Sequence, residues 1–177
     1  NSAINGINTG RTLTLDAGRS IFINASINMN GNGGTLVLST NNPGANRTDP
    51  GAAVISGSSV ISGDFVNLIL ASDGSAGSSI GIAAAPIRIG GGVVSIQTSG
   101  ADSFIQSESS TKGLFLGSSD VGAGHFYARS FADLTLVSGA VITSSASGDA
   151  ITLAAFGNFI NNAGSGALSL TGSGRFL

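Results

Sequence analysis

"DAITLAAFGNFINNAGSGALSLTG", residues 149–172, holds one short pattern twice. "ITLAA" at 151 returns as "LSLTG" at 168: an aliphatic residue, any residue, an aliphatic residue, any residue, then a small one. The same unit occurs as "LTLDA" at 13, "LVLST" at 36, "LILAS" at 68, "VSIQT" at 94, "LFLGS" at 114 and "LTLVS" at 134. The gaps are 23, 32, 26, 20, 20, 17 and 17 residues. Aliphatic residues two apart fall on one face of a strand, whereas a helix needs spacings of three and four. Short strands that recur at a steady interval predict coils stacked on one another.

On this reading Leu13, Leu36, Leu68, Val94, Leu114, Leu134, Ile151 and Leu168 make one inward column, and the residues two further on make a second. Residues 151 and 168 are expected at the same place on successive turns. Eight coils spaced about 4.8 Å apart would give a rod of roughly 40 Å. Shorter apolar segments such as "SIFINASI" at 20, "PIRIG" at 86, "SFIQS" at 103 and "HFYARSF" at 125 complete each coil. Gly, Asn, Ser and Asp gather at the joins, as corners require. The segment 41–51, "NNPGANRTDPG", accounts for the 32-residue gap and is expected as a loop thrown outward. No linker divides the chain, so a single solenoid domain over 1–177 is expected.

Composition narrows the function. The 177 residues are 41% hydrophobic but only 9% charged, and 28 are glycine. Amphipathic helices would have little charge to show water. The net charge of −2 and the lack of a basic patch argue against nucleic acid. No run of apolar residues is long enough for a membrane-spanning helix, so membrane insertion is not expected. There is no cysteine, which removes disulfides and thiolate metal sites. A surface protein that crosses membranes unfolded would suit such a composition. No signal peptide is visible at Asn1 and no cap at "GRFL", so a segment of a longer solenoid is expected, or a unit that stacks on itself.

The pattern "TLTLDAGRSIFINASINMNGNGGTLVLST" (12–40) and the stretch "ITLAAFGNFINNAGSGALSLTGSGRFL" (151–177) resemble the repeat region of filamentous haemagglutinin-like exoproteins, secreted by the two-partner route. That family's secretion domain, with its Asn-Pro-Asn motifs, is not evident; "NNPG" at 41–44 is a loose echo. The resemblance implies a right-handed parallel β-helix and a role in adhesion or surface structure. It also implies location outside the cell or on the bacterial surface.

Enzymes exist on β-helices, and their chemistry needs carboxylates gathered in a cleft. Here Asp16, Asp49, Asp64, Asp73, Asp102, Glu108, Asp120, Asp133 and Asp149 are scattered, mostly beside Gly or Ser, and read as turn residues. No catalytic residue, metal site or cofactor is expected. The sharpest candidate for binding is "HFYARSF", 125–131, with the only His and only Tyr. Alternation puts His125, Tyr127 and Arg129 on one face and Phe126 and Ala128 on the other. Such an outward stripe can stack on a sugar or hold a carboxylate; the plainer reading is an ordinary outer strand face. Val37, Ile69 and Phe115 fall at outward positions, where the 41–51 loop is expected to cover part of them. Two sequons, at Asn24 and Asn46, are candidates for glycosylation.

The function expected is that of an adhesin shaft or filament segment in attachment or biofilm. Its partners are adjoining coils of the same or another copy, with a host surface or a polysaccharide as ligand. A self-stacking filament subunit is the second reading, and a carbohydrate-active β-helix the third.

Overall fold

The structure, a computed structural model, describes residues 2–5, 10–29, 34–40, 52–63, 67–72 (main chain) and 77–177. The 41–51 loop, Asn46, Asp49, Asp64, Asp73 and the side chain of Ile69 lie outside that description.

Every described strand belongs to one of two parallel sheets, and the chain alternates between them to form a β-solenoid. The first sheet is built level by level from Ile4–Asn5, then Ile21–Ile23 with Ile27–Asn28, then Val54–Gly57 with Val60–Ser62. It continues through Ser79–Ile80 with Ile87–Ile89, Asp102–Ser107, Phe126–Ser130, Gly148–Ala155 and Gly174–Phe176. The second sheet runs Thr12–Ala17, Thr35–Thr40, Asn67–Ser72, Val93–Thr98, then three split levels. These are Leu114–Leu116 with Ser119–Asp120, Leu134–Leu136 with Ile142–Ser144, and Phe159–Asn161 with Leu168–Leu170. From its first level to its last, the second sheet spans about six turns.

Alternation explains the core. In Thr35–Thr40 every second residue is buried, and Leu36 and Leu38 have no solvent exposure. Val94, Ile96, Leu114, Leu116, Leu134 and Leu136 continue that inward row. The first sheet answers with Ile55, Ile80, Ile87, Ile105, Phe126 and Ile151. Each such side chain contributes about 1.5–3 kcal/mol of burial.

Two expectations fail. Residues 151 and 168 do not share a column. Ile151 lies in the first sheet against Phe126, while Leu168 lies in the second against Ile142. Both sheets face the same core, so both carry the aliphatic alternation, and a motif seventeen residues on can be half a coil away. The eight copies of the motif therefore overcount the coils: seven sit in the second sheet and one in the first. The second failure is a slip of two residues. Leu13, Leu36, Leu68 and Val94 stack as expected, but Val94 meets Leu116 and Phe115 meets Val93. The cause is the change from one six-residue strand to two short ones. Gly117 sits at the break and its N–H still donates to the Val94 carbonyl at 2.8 Å.

Buried serines hold the corners where backbone ladders stop. Ser107 Oγ accepts from the Phe131 N–H at 2.8 Å, and Ser119 Oγ accepts from the Ile96 N–H at 3.0 Å. Ser144 Oγ donates to the Gly124 carbonyl at 2.8 Å. A short, polar, interior side chain there satisfies groups that would otherwise be orphaned.

Candidate functional site

The strand Phe126–Ser130 obeys the alternation expected of it. Phe126, Ala128 and Ser130 are buried; Tyr127 and Arg129 are exposed. Its parallel neighbour one coil earlier is Asp102–Ser107, in register so that Tyr127 lies beside Phe104 and Arg129 beside Gln106. The Phe104 and Tyr127 rings stack, with centroids 5.3 Å apart and planes at 22°. Arg129 Nη2 donates to Gln106 Oε1 at 3.0 Å. Its Cζ lies 4.7 Å from the centre of the Phe131 ring, which in turn tilts against Phe156 at 5.7 Å and 52°.

Phe104, Gln106, Tyr127 and Arg129 border a shallow groove of about 170 Å³ whose other wall is Ala83 and Pro86, beside the short turn closed by Ile82 and Ala85. That turn depends on Gly81, with φ of +67°. A Cβ at Gly81 would run into the Phe104 carbonyl oxygen. The glycine thus lets one coil lie close against the next beside the groove.

His125 keeps to the outward side with Tyr127 and Arg129 but does not line the groove. It precedes the strand and turns to bridge three coils. Its Nδ1 lies 3.0 Å from Asp102 Oδ1 one coil earlier, and its Nε2 lies 3.2 Å from the Ser147 carbonyl one coil later. The His125 N–H also donates to Asp102 Oδ1 at 2.8 Å. Both groups facing the ring are acceptors, so a neutral imidazole can donate to only one of them. The arrangement reads as a clasp between coils.

Three more acids do corner work. Asp133 Oδ1 accepts from the Asn158 N–H at 2.7 Å, and Asp120 Oδ1 accepts from the Gly122 N–H at 3.0 Å. Asp149 pairs with Arg175 of the next coil at 2.7 Å. Asn24 is exposed at a corner after Ile21–Ile23. Phe115 is 41% exposed and Val37 half-buried, so these two of the outward apolar residues stand at the surface. Among the described residues no group of three His, Asp or Glu could hold a metal ion.

Phe104, Gln106 and Pro86 are the lining residues that a reading along the chain misses. The signal is the coil interval: Arg129 and Gln106 are 23 residues apart, so stepping back one coil from "FYARS" lands on "SFIQS". No protein-family model, no curated protein and no solved structure matches this chain.

Proposed function

We propose that this chain is a β-solenoid stretch of a large secreted or surface-exposed bacterial protein, serving as the stiff shaft of an adhesin or filament. The observation that carries the reading is the ladder of fully buried aliphatic residues repeated on successive coils, from Leu36 and Leu38 through Val94 and Ile96 to Leu134 and Leu136. A rod held together by such a ladder resists bending, since each coil is hydrogen-bonded to its neighbours along both sheets. Its resemblance to filamentous haemagglutinin-like exoproteins supports the same role, with the right-handed winding of that family.

Antibodies raised against this chain test the proposal on intact source cells, together with disruption of its gene. Staining of intact cells or of the medium is expected, with a several-fold loss of attachment to surfaces in the disrupted strain. Antigen confined to the cell interior, with attachment unchanged, would overturn it.

A further inference from the structure

We infer that the first sheet's outer face carries a binding site for a linear polysaccharide containing carboxylated sugars, laid along the rod axis. Three observations meet there. The first is the apolar platform of the stacked Phe104 and Tyr127 rings, which turns to the groove the ring surface that the two do not cover on each other. A sugar ring has one face lined by C–H groups, and an exposed aromatic plane removes that face from water. The groove, at about 170 Å³, has room for one ring rather than for a ligand of the size that fills ordinary pockets of about 300 Å³ or more.

The second observation is charge. Arg129 makes one hydrogen bond to a neutral amide and lies over Phe131; it has no carboxylate partner among the described residues. Most of its donors stay free beside the platform, in the planar fork that matches a carboxylate.

The third is repetition. The register places Arg88, Gln106 and Arg129 in one outward column on three successive coils. Arg88 is likewise without an ion pair, its Nη1 donating to the Ser58 carbonyl at 3.4 Å. Two guanidiniums two coils apart, about 9–10 Å, flank a Gln that can donate to hydroxyls. Glu108, at the next outward position past Gln106, forms no ion pair with either arginine and limits the site on that side. A chain of acidic sugars running parallel to the rod would set carboxylates on Arg88 and Arg129, hydroxyls on Gln106, and a ring on Tyr127. Nucleic acid fits less well. Its affinity comes from many phosphates neutralised at once, and this column offers two cations in a chain of net charge −2.

This inference goes beyond the shaft reading, which stands if it fails. Calorimetric titration of the folded chain with tetragalacturonate tests it, beside the fully methyl-esterified tetramer and neutral cellotetraose. Binding of the free acid, at least tenfold tighter than either control and weakening with salt, is expected. Arg129→Gln and Tyr127→Ala should each cut affinity tenfold or more with unchanged circular dichroism, while Tyr127→Phe retains it. Arg88→Gln should weaken the tetramer but leave the binding of monomeric galacturonate unchanged. Equal binding of acid and ester, no binding of the acid at millimolar concentration, or indifference to both Arg129→Gln and Tyr127→Ala would overturn the assignment.

Discussion

Truncating Leu136 to alanine should cost far more than truncating the larger Phe115. Leu136 is 1% exposed, lies between Leu116 and Asn161 on neighbouring levels, and faces the common core. Removing its isobutyl group loses the transfer energy and leaves a cavity that parallel ladders cannot close. The range for such changes is about 2–5 kcal/mol, and a rigid ladder argues for about 3. Phe115 is 41% exposed and on the opposite face of its strand. Its loss removes only part of a ring's burial, about 1 kcal/mol. With a urea dependence of about 2 kcal/mol per molar, the midpoints should fall by about 1.5 M and about 0.5 M. The assay is built in: Tyr127 is the only tyrosine in a chain without tryptophan, so its fluorescence reports the unfolding of the neighbouring coil. Leu136→Asp, which puts an unpaired charge at the same place, should leave no folded protein. Equal midpoints for the two alanine variants, or the reverse order, would mean that the inward face has been assigned wrongly.

Three further outcomes follow from the packing. Ser103 is fully buried, stacked between Ile80 and Phe126, and its Oγ has no hydrogen-bond partner; Ser103→Ala should raise stability by about 1 kcal/mol in the same urea titration. Gly81→Ala should lower it by about 2 kcal/mol or more, because a left-handed residue gains a Cβ that meets the Phe104 carbonyl. In a chain with no native cysteine, Tyr127→Cys with Thr152→Cys should close a disulfide on mild oxidation, as parallel neighbours lie within its reach. Thr152→Cys with Ser169→Cys should stay reduced, since those residues belong to different sheets.

That last pair marks where the sequence stops being legible. Alternation correctly gives the inward residues of Thr35–Thr40, Val93–Thr98 and Phe126–Ser130, because a period of two is a local property of one strand. It cannot tell one inward face from another, so "ITLAA" is misplaced by half a coil. Nor does it show where a long strand gives way to two short ones, as at Gly117; that slip depends on the coil beneath. The candidate site divides in the same way. Tyr127 and Arg129 are readable as an outward pair. Their partners Phe104 and Gln106 come from the previous coil, as does the Asp102 carboxylate that engages His125, and nothing nearby in sequence announces them.

The measurement that bears most directly on the shaft reading is the intact mass of the native polypeptide, taken from its source by mass spectrometry. A polypeptide several times heavier than the 17.2 kDa of these residues, recovered from the cell surface or the medium, is the result the account predicts. A free 17.2 kDa monomer that neither associates with cells nor assembles with itself would contradict it.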